Sequence, residues 1–298
     1  MTFRRLKACV LSVLLIWQID ASAQTQVRYQ LGVSANDSRY EYFLVLLDMA
    51  LSATRQDYGD YQLIRSERGV SQQRAFELLS AGQGLDVFWG MTSLRRETLG
   101  RAVPFPLMRG LLGVRVALTT PQGAEALGKV TSIQDLSQLT AVQGDGWPDT
   151  RILRHNGLPV ITSSHYESLF QMLRYQRSDY FPRSVAEVWA EQEGPLGEGL
   201  EIHKGLLLSY RSPIYFFVHR DNEALARRLQ KGLERLWQNG LFNNLFYSRP
   251  ELRRALDLIN HGDYRVLRLA MPWQLPSIRQ IPDDYWLPLP GSTTTTEP

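Results

Sequence analysis

Polar residues follow two short apolar strands of this chain, and their types suit the binding of an anion. Thr92, Ser93 and Arg96 come after one strand, whereas Arg183 and Ser184 come after the other. The planar guanidinium group of arginine matches carboxylate and phosphate groups. If the strands belong to parallel sheets, their carboxyl ends are where ligands bind. These residues therefore predict a site for a small polar, anionic solute.

A glycine-rich turn adds a second kind of anion site. It comprises Gly144, Asp145, Gly146 and Trp147, and it precedes Pro148, a residue type that favours the first position of a helix. A helix start exposes backbone N–H groups that can bind an anion, and an indole ring can stack on a ligand. The turn completes the predicted ligand-binding set.

Several of these residues also have a purely structural interpretation. Arg95 and Arg96 could be solvated charges at a helix start, and Trp89 and Trp147 could simply pack against their neighbours. The aspartates that open the two strands are interpreted as structural residues.

Two similar units position the predicted site. Residues Ser71 to Glu97 and His165 to Trp189 each combine an amphipathic helix, a short polar break and an apolar strand. Each unit is typical of one helix-to-strand step in a parallel sheet. Two such sheets that face each other would form a cleft.

Two long β-rich segments indicate how the chain divides. Leu107 to Thr119 and Pro213 to His219 are expected to be extended strands that cross between two lobes. We therefore predict an α/β fold with two lobes, each a mainly parallel sheet flanked by helices, joined by these two strands. The predicted ranges are 24–112 plus 213–290 for lobe 1, 113–212 for lobe 2 and 291–298 for a disordered tail.

The amino terminus predicts export. A basic start (Arg4, Arg5, Lys7) precedes a short apolar run, and Ala21-Ser22-Ala23 is a typical small-residue cleavage site. A membrane anchor is the alternative, but a spanning helix needs about twenty apolar residues. We expect residues 1–23 to be a cleaved signal peptide and the mature protein to be periplasmic, without membrane insertion. The single cysteine, Cys9, lies in this leader.

Charge and motif content argue against several functions. The formal net charge of +3 falls to about +1 without Arg4, Arg5, Lys7 and Asp20, so we expect no nucleic-acid partner. The chain has no G-x-S-x-G, H-E-x-x-H or phosphate-loop motif, and its five histidines stand singly. We therefore expect no catalytic residues, metal or cofactor, and no enzyme. A hydrolase with paired carboxylates is the enzymatic alternative.

Three longer stretches carry a pattern that is known from one family. LLSAGQGLDVFWGMTSLRRE is similar to its L-x-x-G-x-x-D…G-M-T-x-x-x-x-R stretch, and VTSIQDLSQLTAVQGDGW to its I-x-S-L-x-D-L…V-x-x-G turn. SPIYFFVHRDNEALARRLQKGLERLWQNGLF is similar to its return strand and following helix. In this order and spacing, the stretches resemble the type II periplasmic substrate-binding proteins, in the solute-binding family 3 branch of polar amino-acid ABC importers.

The resemblance implies a monomer that captures a small solute by hinge closure, for uptake through an ABC permease. In the family, the Thr of G-M-T and a nearby Arg hold a ligand carboxylate. Thr92 matches, but Glu97 stands at the expected Arg position. Arg183 and Ser184 stand where relatives place an acid for the ligand's amino group, so an ordinary α-amino acid is not expected. A soluble sensor that docks on a membrane signalling receptor is the alternative function.

Overall fold

The structure is a computed structural model, and it describes residues 24–30, 39–66 and 69–288. The predicted signal peptide and the predicted disordered tail lie outside these residues, so both stay predictions. Within the described part of the chain, no helix combines the length and the apolar character that crossing a membrane requires.

The first part of the chain builds two small sheets, which we call lobe 1 together with their helices. Strands β1 (Thr25–Tyr29) and β2 (Tyr61–Arg65) pair in parallel, and α1 (Arg39–Ser52) and α2 (Arg55–Tyr58) lie between them in sequence. The chain continues through α3 (Gln72–Ser80), β3 (Val87–Met91), α4 (Leu94–Leu99) and β4 (Arg101–Val103). The step from α3 to β3 is the predicted helix-to-strand unit.

The middle of the chain builds most of a six-stranded sheet, which we call lobe 2 together with its helices. Its elements are β5 (Val114–Thr119), α5 (Pro121–Gly128), α6 (Ile133–Leu136), β6 (Ala141–Gly144), α7 (Pro148–His155), β7 (Val160–Ser163), α8 (Tyr166–Arg174), β8 (Tyr180–Ser184), α9 (Val188–Glu193) and β9 (Glu201–Ser209). A capping box between Ser132 and Asp135 begins α6, as the Ser-x-x-Asp pattern indicates.

The last part of the chain returns to lobe 1 and then leaves it again. Strand β10 (Ile214–Val218) lies between β3 and β4. The chain then forms α10 (Glu223–Gln238), capped by Asn222, followed by α11 (Leu241–Ser248) and α12 (Pro250–His261). Strand β11 (Arg265–Arg268) joins the edge of the lobe 2 sheet, whose order is β11-β9-β5-β8-β6-β7, and α13 (Pro276–Arg279) follows.

The predicted two-lobed α/β fold is confirmed, and strand pairing refines it. Parallel pairs join β1 to β2, β6 to β7 and β8, and β9 to β11. The two strands predicted to cross, β5 and β10, run antiparallel to their neighbours. The predicted lobe boundaries stay a prediction with one correction, because residues 265–268 pair in lobe 2 rather than in lobe 1.

Two local predictions are wrong, and in each case a residue with a positive φ interrupts the predicted element. The segment from Leu107 is not extended, because the chain turns at Arg109 and Gly110, with φ of 51° and 84°, and β5 begins only at Val114. Leu241 does not extend the buried stripe of α10, because that helix ends before Gly240 and Leu241 is 44% exposed.

The two chain segments that enter and leave lobe 2 touch each other beside β5. The backbone N–H of Tyr210 donates to the carbonyl oxygen of Gly113 at 3.1 Å. A Cβ atom on Gly113 would lie 1.9 Å from the carbonyl oxygen of Tyr210, so only glycine permits this approach. The junction between the lobes is therefore a closely packed pair of segments.

Candidate ligand-binding site

The predicted lobe 1 residues at the end of β3 bind to one another. The hydroxyl of Thr92 donates to Glu97 Oε1 at 2.5 Å. The hydroxyl of Ser93 caps α4 by accepting from the backbone N–H of Arg96 at 3.2 Å. Thr92 and Ser93 are both buried. Glu97, which stands where the resemblance predicts an arginine, is thus the direct partner of Thr92.

Two hydrogen-bond partners of Arg96 lie inside lobe 1. Its Nη1 donates to the carbonyl oxygen of Met91 at 2.9 Å, and its Nη2 donates to Gln72 Oε1 at 2.8 Å. The guanidinium carbon lies 4.6 Å from the centroid of the Phe76 ring, and the residue is buried. Arg95, by contrast, is exposed. A role for Arg96 in ligand binding stays a prediction.

Arg183, at the end of β8, is paired with carboxylates of its own lobe. Its Nε and Nη2 donate to the two carboxylate oxygens of Glu191 at 2.7 and 2.6 Å, and Nη2 also donates to Glu187 at 3.1 Å. Burial alone would lower the pKa of Arg183, but Glu191 and Glu187 outweigh it and raise that pKa. Arg183 therefore already has carboxylate partners within the chain, and its contact with a ligand stays a prediction.

A second buried arginine, Arg115 on strand β5, lies beside Arg183 on strand β8. Arg115 Nη2 is 2.6 Å from Asp149 Oδ1, and Arg115 Nη1 is 3.8 Å from Glu187 Oε2. The hydroxyl of Tyr210 also donates to Asp149, just as the hydroxyl of Tyr166 donates to Glu191. We call Arg115, Asp149, Arg183, Glu187 and Glu191 the ion-pair cluster.

The groups of the ion-pair cluster differ in exposure. Arg115 and Arg183 contact three carboxylates, those of Asp149, Glu187 and Glu191. The Glu187 side chain is 20% exposed, against 2% to 7% for the other four side chains. The part of the cluster that solvent reaches best is therefore a carboxylate.

The glycine-rich turn uses part of its hydrogen-bonding capacity within the chain. The backbone N–H of Asp145 donates to Ser163 at 2.8 Å, and that of Trp147 donates to Gly144 at 3.1 Å. The hydroxyl of Thr150 also donates to the carbonyl oxygen of Gly144. Helix α7 begins directly after the turn, as predicted. An anion site made of these N–H groups stays a prediction, with two of them already engaged.

Trp147 packs on the ion-pair cluster. Its ring lies nearly parallel to that of Phe181, with 6.2 Å between centroids. The guanidinium carbon of Arg183 lies 5.1 Å from the Trp147 ring centroid. The indole therefore covers one side of Arg183, which adds a structural role to the predicted stacking on a ligand.

The turn is also the place where lobe 2 approaches helix α3 of lobe 1. Gly146 has a φ of 74°, and a Cβ atom on it would lie 2.8 Å from Gln73 Oε1. Gln73 follows Gln72, the residue that binds Arg96. The turn of lobe 2 and the polar end of β3 in lobe 1 are thus brought to the same side of the molecule.

Ser184 and Trp89 have structural surroundings. The hydroxyl of Ser184 accepts from the backbone N–H of Ala186 at 3.3 Å, and the residue is fully buried. Trp89 is buried among aromatic side chains, with the rings of Phe43 and Phe88 at 5.8 and 6.0 Å. A ligand contact for Ser184 stays a prediction.

The sequence interpretation missed two acidic residues and one serine. Glu187 and Glu191 follow Arg183 at intervals of four, a spacing that could have signalled their convergence on it. Ser277 donates its hydroxyl to Glu97 Oε1 at 2.5 Å, and no local signal predicts that contact across 180 residues. Among the residues that the structure describes, no group of three or more His, Cys, Asp or Glu side chains could hold a metal ion.

Comparison with known proteins places the fold. No protein-family model matches the chain, and no curated protein matches it significantly. A periplasmic binding protein of Salmonella typhimurium with high arginine specificity is similar at a TM-score of 0.56 and 13% identity, over 75% of this chain and 98% of that one. An ancestral amino-acid-binding protein, a precursor of cyclohexadienyl dehydratase, is similar at a TM-score of 0.54 and 11% identity, over 75% and 94%.

A third similar structure is a ligand-binding core. The GluR0 ligand-binding core from Nostoc punctiforme, in complex with L-glutamate, has a TM-score of 0.53 and 15% identity, over 76% of this chain and 99% of that one. Likeness at this level of identity establishes the architecture alone. The chain has the two-lobed fold of periplasmic amino-acid-binding proteins, as its sequence motifs indicate.

Proposed function

We propose that this protein binds a small polar solute between its lobes in the periplasm and delivers it to an ABC permease. The ion-pair cluster carries the proposal. It lies at the end of β8, where a sheet of this kind binds ligands, and beside the turn that approaches lobe 1. Burying several charged side chains costs free energy of desolvation. Proteins often retain such groups at binding sites.

The charge of the solute is inferred from the ion-pair cluster rather than from the fold. One neighbour is specific for arginine and another holds L-glutamate, so the architecture accepts either charge. In this chain, Glu187 is the most exposed charged group of the ion-pair cluster. We propose a solute that carries an ammonium or other cationic donor group and places it against Glu187.

This proposal replaces the anionic solute that the sequence predicts. That prediction used Arg183 as a group that binds the ligand, whereas Glu191 already binds Arg183 through two hydrogen bonds. Glu187 also supplies the acid whose absence made an amino acid unexpected. Basic and neutral amino acids are therefore included among the proposed solutes.

A thermal-shift screen of refolded, ligand-stripped protein tests the proposal. The panel compares arginine, lysine and glutamine with amines that lack the carboxylate and with dicarboxylates that lack the amine. A solute at 100 times its dissociation constant should stabilise the protein by about 2.7 kcal/mol. We expect stabilisation by solutes with a cationic group. Stabilisation by dicarboxylates alone would restore the anionic solute and contradict the role of Glu187.

The similarity to the GluR0 ligand-binding core favours a second candidate function. Because a ligand-binding core of this fold belongs to GluR0, the protein could instead present its liganded form to a membrane signalling receptor. Deletion of the gene separates the two functions. Loss of uptake of the identified solute supports delivery to a permease, whereas unchanged uptake with loss of a solute-dependent response supports the sensor.

We expect binding without chemical conversion of the solute. Each carboxylate of the ion-pair cluster already contacts an arginine of the chain, so its oxygens are engaged in structural ion pairs. A binding protein of this fold did precede a dehydratase, so the expectation needs a direct check. Proton NMR of the solute after long incubation with the protein should show an unchanged spectrum. Product signals would support the enzymatic alternative.

A further inference from the structure

The C-terminal part of the chain passes from lobe 1 to lobe 2 and then back to lobe 1. After α11, helix α12 starts near lobe 1, where Arg249 pairs with Glu41 at 3.3 Å. It continues to lobe 2, where the guanidinium carbon of Arg254 lies 3.9 Å from the ring centroid of Trp189 on α9. Strand β11 then joins the lobe 2 sheet. We call the return path, residues 269–281, the C-terminal strap.

Hydrogen bonds to backbone groups of the strap anchor it on lobe 2. The N–H of Leu269 donates to the carbonyl oxygen of Ser209 at 2.9 Å. The side chain of Asn156, at the end of α7, binds Ala270 twice, donating to its carbonyl oxygen at 2.9 Å and accepting from its N–H at 2.8 Å. Three hydrogen bonds therefore fix this end of the strap.

The middle of the strap is packed rather than exposed. Trp273 and Leu275 are both buried, and the guanidinium carbon of Arg151 on α7 lies 5.7 Å from the Trp273 ring centroid. Gln274 between them is exposed. The side chains of the strap thus alternate between the protein and solvent as the chain leaves lobe 2.

The other end of the strap is anchored on lobe 1. The hydroxyl of Ser277 donates to Glu97, the same carboxylate that Thr92 binds, and Tyr215 donates its hydroxyl to the carbonyl oxygen of Ser277 at 3.2 Å. Ile281 is buried in an apolar cluster with Phe76 and other side chains of lobe 1. Both anchors therefore consist of buried or hydrogen-bonded contacts.

We propose that the C-terminal strap limits how far the two lobes can separate. Seven Cα–Cα steps separate Ala270 from Ser277, and a chain of that length spans at most about 25 Å when fully extended. While both anchors hold, the two anchor points cannot move farther apart than this length. Hinge opening that separates them beyond it requires release of Ser277 from Glu97, at the predicted lobe 1 half of the site. Solute exchange accordingly takes place through a narrow opening.

Interlobe distances in the otherwise unmodified mature protein test this directly. The only cysteine lies in the leader, so cysteines introduced at Gln83 of lobe 1 and Tyr175 of lobe 2, both exposed, can be spin-labelled selectively. Pulsed electron paramagnetic resonance on solute-stripped protein should give one narrow distance distribution. Two well-separated populations, open and closed, would overturn the proposal. The measurement needs no ligand, so its outcome is independent of the proposed function.

Release of the strap should change that distribution. The double substitution Asn156→Ala and Ser277→Ala removes side-chain anchors at both ends, and we expect a broader distribution with a longer mean distance. Ser277→Ala alone is a second variant that disturbs folding less. Gln274→Ala is the matched control, because this exposed strap residue contacts Arg279 of the strap itself. Equal distributions in all three variants and the parent would refute the strap's role.

Discussion

Removing the charge of Glu191 tests whether the ion-pair cluster is buried and paired as the structure shows. Glu191→Gln keeps the size of the side chain but replaces a carboxylate that accepts two hydrogen bonds from Arg183 and one from Tyr166. The amide nitrogen of the glutamine is a hydrogen-bond donor and would face a guanidinium donor, so one of the hydrogen bonds from Arg183 would be lost. Among the residues that the structure describes, Glu187 would remain as the charged partner of Arg183.

The expected loss of unfolding free energy follows from the burial of the ion pair. Breaking a buried ion pair by removing one partner costs about 3 to 5 kcal/mol, and the remaining contact with Glu187 favours the lower end, about 3 kcal/mol. For a protein of this size, each kcal/mol lowers Tm by about 2 to 4 °C, so the expected loss is about 6 to 12 °C. Differential scanning calorimetry or thermal denaturation followed by circular dichroism measures it.

The same helix offers a matched control. Glu193 pairs with Arg254, but both side chains are about half exposed, and pairs of this kind contribute about 0 to 1 kcal/mol. Glu193→Gln should therefore shift Tm by a few degrees at most. If Glu191→Gln lowers Tm no more than Glu193→Gln does, the cluster is solvated and the charge argument for the solute fails.

Two further predictions concern stability. Burial would raise the pKa of Asp86, but hydrogen bonds from Arg28 outweigh it and lower that pKa, so the pair's contribution is complete above the ordinary value of 3.8 and is lost as pH falls through the lowered pKa. The stability difference between the parent and Asp86→Asn should be constant from about pH 5 to 8 and shrink below about pH 4, and a difference independent of pH would contradict the pairing. Gly113→Ala should cost about 1 to 3 kcal/mol or more, because its Cβ would lie 1.9 Å from Tyr210, whereas Gly128→Ala, with open space around it, should cost nothing. Equal urea midpoints for the two alanine variants would show that the junction between the lobes is not closely packed.

Local signals in the sequence were sufficient for most of the fold. Helix caps such as Ser71 and Asn222 and the apolar stripe of α10 depend on neighbours within four residues, so periodicity reveals them. The turn at Arg109 and Gly110 was missed because a positive φ at a non-glycine residue has no reliable sequence signal. The assignment of β11 to lobe 2 depends on a pairing with β9 that is remote in sequence.

In the candidate site, too, local sequence predicts some features, whereas others depend on contacts that only the folded chain makes. The sequence placed Arg183 correctly at the end of β8, but it could not show whether carboxylates compensate its charge. Glu187 and Glu191 reach it only because the chain turns after β8 and starts α9 in the direction of the sheet. A charge prediction for a site depends on such three-dimensional neighbours, and for this reason we propose a solute with a cationic group in place of the expected anion.

Calorimetric titration of the best solute from the screen into the parent protein and into Glu187→Gln tests the central claim most directly. Arg183 keeps Glu191 and Arg115 keeps Asp149 in this variant, so the fold should persist, as an unchanged circular dichroism spectrum would verify. A hydrogen bond to a charged group contributes about 1.5 to 3 kcal/mol, so affinity should fall by roughly tenfold to hundredfold, with Glu193→Gln unchanged. Equal affinity in the parent and in Glu187→Gln would contradict a solute-binding role for the ion-pair cluster.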